Sequence, residues 1–268
     1  MSPDLLLLFC RKELRDLRTN RKLWPGYLIL PVLAVALPVG LILLIPVLLM
    51  EVNDPGVRML IDTLERDLTI PGSSLAERLG RLLLRDLGLW YLLMPVILAS
   101  GPAALAMVRE KEQRTLEPIL ATPLSDRALV LSKLVGAIGP AIMWTWITAI
   151  AGFGIGALVT ALRLGVAIGP TPGNIVGVLV LGPVLTGAAA LGAIAASARF
   201  ADSQSAHVFT GLVIVPATLI VLGLAGRPAM ASAWLGLGAA AVLVLVGFGL
   251  YRRAVRRLRR EELLTSWK

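Results

Sequence analysis

Six long stretches of this 268-residue chain carry no charged side chain, and they restrict the fold more than any other feature. They are residues 24–50, 89–108, 134–162, 174–198, 208–226 and 234–251. About 20 apolar residues are enough for a helix to cross the hydrocarbon core of a bilayer. The hydrophobic content of 57% also exceeds the roughly 45–50% of ordinary globular chains. The sequence therefore predicts an all-α membrane protein with six transmembrane helices.

The segments outside these stretches have three different patterns. Residues 1–23 predict an amphipathic helix, which lies on the membrane surface or against a partner protein. Residues 51–88 are polar and predict external amphipathic helices, the second of which begins with a capping box from Ser74 to Glu77. This external segment either gates an exit path or forms a plain interfacial hairpin. Residues 252–268 form a basic tail.

The polar bridge between the second and third stretches, residues 109–127, has the pattern of an ordered loop. Thr115 can cap a short helix, Glu117 suits the positive end of its dipole, and Pro123 ends it. Three apolar side chains share one face of this helix: Leu116, Ile119 and Leu120. A helix of under two turns is not stable alone in water, so it needs a surface to pack on.

This loop resembles the cytoplasmic loop of ABC-2-type permeases, the membrane subunits of ATP-driven exporters of the sodium- and drug-export type. The resemblance is carried by Glu110-Lys111-Glu112, Thr115-Leu116-Glu117, Leu120-Ala121-Thr122-Pro123 and Lys133. It implies a coupling helix between spans 2 and 3, an N-terminal elbow helix over residues 1–23 and a permease domain over residues 24–251. It also implies two partners: a separate ABC ATPase subunit and a second permease copy, either identical or related. The docking residues that it implies are Glu110, Glu112, Thr115, Leu116, Glu117, Ile119, Leu120 and Pro123.

The chain has no motif for ATP hydrolysis. A phosphate-binding loop requires Gly-Lys followed by Ser or Thr, and no lysine here follows a glycine. We therefore expect no cofactor in this chain, with ATP and Mg bound by the partner ATPase.

One cysteine, Cys10, excludes an intrachain disulfide, and the single His207 leaves no plausible zinc site built from protein ligands alone.

The third stretch holds a candidate substrate path near the middle of the membrane. Its members are Trp144, Thr145, Trp146 and Thr148. Buried tryptophans also serve simply as packing residues, so both interpretations stay open. Because this stretch is longer than a bilayer requires, we expect it to tilt, or to break near Gly152, Gly154 and Gly156.

Two other functional classes compete with the permease. One is a membrane-embedded enzyme acting on lipid or polyprenyl substrates, which would need carboxylates or histidines clustered near the interface. The other is a scaffold that transports nothing. A carrier driven by an ion gradient is disfavoured, because such proteins usually place Asp, Glu or His within their spans, and these stretches contain none.

The charge distribution predicts the orientation. Most of the 26 lysines and arginines lie in the two terminal segments and the loop between spans 2 and 3, on one side of a six-span chain. The positive-inside rule then places both termini in the cytoplasm, with the protein in the plasma membrane. The net charge of +9 accordingly indicates contact with anionic lipid, and we expect no nucleic-acid partner.

This topology predicts that a cysteine at residue 73 faces the outside. In a variant that lacks Cys10, Ser73→Cys should react with a membrane-impermeant thiol reagent added to intact cells. Ser205→Cys, on the opposite side, is the matched control and should react only after the cells are permeabilised. Labelling of residue 205 with protection of residue 73 would invert the topology.

Overall fold

The computed structural model describes residues 11–12, 15, 24–50, 54–56, 58–59, 62, 72, 74–114, 126–197, 203–224 and 233–257, and every regular element in these ranges is helical. The elements are α1 (Trp24–Met50), α2 (Leu75–Ala104), α3 (Val108–Glu112), α4 (Asp126–Leu164), α5 (Pro172–Val176), a π-helical segment (Gly177–Leu181), α6 (Gly182–Ser197), α7 (Ser203–Leu224) and α8 (Ala233–Arg257). The prediction of an all-α protein is confirmed for this part of the chain. The predicted amphipathic helix over residues 1–23 falls mostly outside it.

Four helical stretches within the described ranges are long and apolar enough to cross a membrane. They are Trp24–Val47, Leu75–Glu110, Ala128–Leu164 and Pro172–Ser197. Each overlaps one of the first four predicted spans. The fifth and sixth predicted spans fall on α7 and α8 and remain predictions.

Helix α2 lies at the centre of the bundle. It packs against α1, α4, α6 and α7, and 78% of its apolar stretch is buried, against 22–50% for the other three. Tyr91, Leu92 and Val96 on this helix are fully buried. Inside a bilayer, helices associate through close van der Waals packing rather than through the removal of apolar surface from water. The position of α2 therefore fixes the positions of the helices that surround it.

Helix α2 begins well before the apolar stretch that crosses the membrane. Ser74 is its N-cap, with Oγ accepting a hydrogen bond of 3.2 Å from the backbone N–H of Glu77. This confirms the cap predicted at Ser74. The Arg81 guanidinium then donates to Oε1 of Glu77 at 2.7 Å, one helical turn further on. The second half of the predicted external segment and the second span are therefore one continuous helix.

Helix α4 is continuous over 39 residues, so of the two predicted alternatives, a tilt or a break near its glycines, the break does not occur. At 1.5 Å per residue it is about 58 Å long, well beyond the roughly 30 Å of hydrocarbon. Two of the glycines instead permit close contact with α2. A Cβ at Gly152 would overlap the Tyr91 hydroxyl, and one at Gly156 would lie 2.5 Å from Cδ2 of Leu84.

The fourth span changes its helical geometry near its start. It runs from α5 through the π-helical segment into α6, and the backbone N–H of Gly182 donates to the carbonyl of Gly177, five residues earlier. Within this segment the carbonyl of Val178 accepts a hydrogen bond of 3.1 Å from the indole N–H of Trp146. Such single-turn widenings are rare and often mark functional sites. A side chain of α4 is therefore bonded to the irregular part of the next span.

Candidate functional site

The predicted docking loop is described only at its two edges. Residues 115–125 lie outside the described ranges. The predictions for Thr115, Leu116, Glu117, Ile119, Leu120 and Pro123 fall there and remain predictions. The structure describes α3 and the residues up to Arg114 before this gap, and the start of α4 after it.

At the first edge, residues 105–114, the chain turns sharply after the end of α2. After α2, residues 105–107 form a turn in which the N–H of Leu105 donates to the carbonyl of Gly101 at 3.1 Å. The short helix α3 follows, and the N–H of Gln113 donates to the carbonyl of Arg109 at 2.9 Å. Arg114 then has a φ of +54°, in the left-handed region that commonly terminates helices. The chain therefore changes direction immediately before the loop.

A buried ionic cluster joins this edge to α4. The carboxylate of Glu110 lies in α3 and is 5% exposed, and Lys133 on α4 is 2% exposed. Nζ of Lys133 is 2.8 Å from Oε1 of Glu110, and it donates a hydrogen bond of 2.7 Å to the carbonyl of Ala106. Nζ of Lys12, from the N-terminal segment, also donates to Oε1 of Glu110 at 3.1 Å. We call Lys12, Ala106, Glu110 and Lys133 the Glu110 junction.

The surroundings of the Glu110 junction are apolar. Buried side chains from five helices and the turn after α2 form a single cluster at this end of the bundle: Ala103, Ala104, Leu105, Met107, Val108, Ala128, Leu129, Val130, Ala137, Ala190, Leu191, Ala193, Ile194 and Ala206. Charge–charge attraction is stronger away from water, and so is the cost of leaving one charge without the other. The junction therefore holds the first edge of the loop firmly against α4.

Glu112 differs from Glu110 although it lies only two residues further along α3. Its side chain is exposed, whereas that of Glu110 faces the protein interior. Both were predicted to contact a partner ATPase. In the isolated chain only Glu112 presents its carboxylate at the surface, and Glu110 makes its ion pairs within the chain.

Sequence reasoning did not identify the Glu110 junction. One signal was present: Glu110 follows the second apolar stretch and Lys133 precedes the third, so two opposite charges lie at the same end of antiparallel neighbours. Lys12 gave no comparable signal, because it lies 98 residues from Glu110 along the chain.

The candidate substrate path on α4 is described completely. Thr145 and Thr148 are buried and donate their hydroxyls to carbonyls of their own helix, those of Ala141 at 2.8 Å and Trp144 at 2.7 Å. Trp144 is partly buried against the core, and Trp146 is 40% exposed while its indole N–H bonds to Val178. The hydroxyls of Thr145 and Thr148 and the indole N–H of Trp146 are thus engaged within the protein, and the assignment of these four residues to a substrate path remains a prediction.

The described residues contain no group of three His, Cys, Asp or Glu placed to hold a metal ion. The Glu110 junction pairs one carboxylate with two ammonium groups, which is an arrangement suited to holding segments together.

Comparison with known proteins identifies the family. A family profile described as ABC-2 family transporter protein matches residues 86–251. The chain belongs to the ABC-2 transporter family. The matched region extends from α2 to α8 and includes the loop and the Glu110 junction apart from Lys12. No curated protein gives a significant match to this chain.

Membership of the ABC-2 family confirms the resemblance drawn from residues 110–133. Members of this family are the membrane components of transporters and are not themselves catalytic. The family therefore disfavours the alternative interpretation, a membrane-embedded enzyme acting on lipid or polyprenyl substrates.

The two glutamates of α3 allow a matched test of the junction. Glu110→Ala leaves the buried ammonium of Lys133 without its carboxylate, and removing one partner of a buried ion pair typically costs about 3–5 kcal/mol of unfolding free energy. Glu112→Ala, at an exposed position of the same helix, should have little effect. Unfolding by SDS in mixed micelles measures both. Equal unfolding midpoints for the two variants would contradict the buried junction.

Proposed function

We propose that this protein is the permease subunit of an ABC exporter, and that a separate nucleotide-binding subunit hydrolyses the ATP. The observation that carries the proposal is the family match across residues 86–251. The absence of any Gly-Lys pair from the sequence supports placing hydrolysis on another polypeptide.

The proposed topology has six spans with both termini in the cytoplasm of a plasma-membrane protein. Helices α7 and α8 have 22 and 25 residues, long enough for the fifth and sixth spans. The excess of lysine and arginine in the terminal segments and the docking loop supports this orientation. It puts the Glu110 junction at the cytoplasmic face, where a soluble ATPase can reach the loop.

Residues 116–121 are proposed as the coupling helix that docks on the ATPase. Support comes from its apolar face of Leu116, Ile119 and Leu120 and from the way both flanks of the loop are held. The left-handed Arg114 and the pair between Glu110 and Lys133 limit where the loop can start. A coupling element must transmit force, which requires attachment to rigid elements on both sides.

A second permease copy, identical or related, is proposed to complete the transport path. The family resemblance implies it, and the exposed apolar faces of α1, α4 and α8 offer area for a second copy as well as for lipid. Trp146 lies on such a face of α4, between the exposed side chains of Met143 and Ile150. A second copy placed there would meet Trp146 directly, whereas Thr145 and Thr148 face the interior of this chain and Trp144 is partly buried.

The central test of the docking helix is Leu120→Asp. This change puts a carboxylate where apolar surface should be buried against the ATPase, and an uncompensated buried charge costs several kcal/mol or forces the contact apart. Insertion and packing of the spans should be unaffected, because the loop lies outside the membrane. We expect normal expression but loss of co-purification with the ATPase subunit.

Glu117→Gln is the control for Leu120→Asp. It removes a favourable interaction with the helix dipole of roughly 0.3–1 kcal/mol plus any ion pair with the partner, so its effect should be smaller. If Leu120→Asp keeps the wild-type amount of bound ATPase and wild-type transport, residues 116–121 are not the coupling element.

A further inference from the structure

The Glu110 junction connects the start of the docking loop to a helix that extends through the whole protein. Helix α4 runs without interruption from Asp126 to Leu164, and Lys133 lies in its second turn. Further along, Trp146 of the same helix is bonded to the π-helical segment of the fourth span. A displacement of α4 at its cytoplasmic end would therefore reach the middle of the bundle.

The two ammonium groups of the junction hold Glu110 with different strengths. Lys133 is almost completely buried and bonds both Oε1 of Glu110 and the carbonyl of Ala106, so it attaches to the loop edge at two points. The side chain of Lys12 is 40% exposed and its Nζ lies 3.1 Å from Oε1 of Glu110, so water and salt weaken this ion pair. The contact of Glu110 with Lys133 on α4 is therefore stronger than its contact with Lys12.

The carbonyl of Ala106 adds a second reason for a long cation at residue 133. Ala106 lies in the turn between α2 and α3, where the backbone leaves regular helical geometry. Nζ of Lys133 crosses from α4 to this turn and satisfies the carbonyl at 2.7 Å. An apolar side chain at residue 133 would remove both attachments, whereas arginine retains the charge and several donors.

We propose that Lys133 is a positioning residue: through Glu110 and the carbonyl of Ala106 it makes the start of the docking loop and α4 move as one rigid body. A docked ATPase that pulls on residues 115–125 would then displace α4. Without this attachment the loop would move while α4 stayed in place. ATP hydrolysis would then be uncoupled from transport. This inference rests on the proposed function, because it requires an ATPase bound to the loop.

Two distances measured by pulsed electron paramagnetic resonance test this proposal. In a background that lacks Cys10, one label pair at Gln113 and Leu131 reports whether the loop edge stays fixed to α4. A second pair at Leu131 and Leu245 reports whether α4 moves relative to α8. All three positions are exposed in this chain. Labelled protein is diluted with unlabelled protein, so that only distances within one chain are measured, and the complex contains the ABC ATPase that co-purifies with this chain.

The distances are compared between the nucleotide-free complex and the complex trapped with MgATP and vanadate. In the wild type the 113–131 distance should stay constant and the 131–245 distance should change. The double variant Glu110→Gln/Lys133→Met removes both charges together, which avoids leaving one buried charge alone. In that variant the 113–131 distance should change on trapping, and the 131–245 change should be lost. Lys133→Arg should behave as the wild type.

Glu110→Asp gives a second test if the double variant does not fold. It keeps the charge but withdraws the carboxylate by one methylene group, so the 113–131 distribution should broaden while the protein remains intact. The proposal is overturned if the double variant or Glu110→Asp gives both wild-type signatures, or if the wild-type 113–131 distance changes on trapping. A wild-type chain that binds no ATPase would overturn the proposed function, and this inference with it. If the wild-type complex forms and can be trapped, but the variants show the same two distances as the wild type before and after trapping, only this inference is overturned.

Discussion

The lack of water in the hydrocarbon core is the constraint on which this structure depends. Backbone groups there must bond within the protein, which favours continuous helices. The same requirement explains smaller features, because Thr145 and Thr148 bond carbonyls of their own helix. Where the fourth span departs from α-helical geometry, the carbonyl of Val178 accepts a hydrogen bond from the indole N–H of Trp146. Thr145 and Thr148 thus make hydrogen bonds within one span, and Trp146 makes one between two spans.

The same constraint restricts charged side chains to the ends of the membrane-spanning helices. There they can form ion pairs that stabilise the bundle. Glu110 in α3 and Lys133 in α4 are buried rather than exposed to solvent, and apolar residues of both helices belong to one buried cluster. Their ion pair joins α3 to α4 at the start of the predicted docking loop. Stability of the bundle and attachment of the loop are therefore provided by one interaction, which connects the fold of this ABC-2 protein to its proposed function.

The sequence predicted the features that depend on local composition. The helical class, the first four spans and the N-cap at Ser74 follow from hydropathy and from capping chemistry. The continuity of α2 was missed, because its charged first half, with Glu77 paired to Arg81, has the pattern of a separate surface helix. The approach of Tyr91 to Gly152 and the contact between Lys12 and Glu110 depend on tertiary packing across many residues, which spacing along the chain does not encode.

The most direct test of the central claim is an ATPase measurement on purified protein in lipid nanodiscs. The account predicts no hydrolysis by this chain alone, because it has no phosphate-binding loop. It predicts a stable complex that hydrolyses ATP when the proposed partner ABC ATPase is added. Turnover by this polypeptide free of any other subunit would contradict the account, and so would failure of the two proteins to associate.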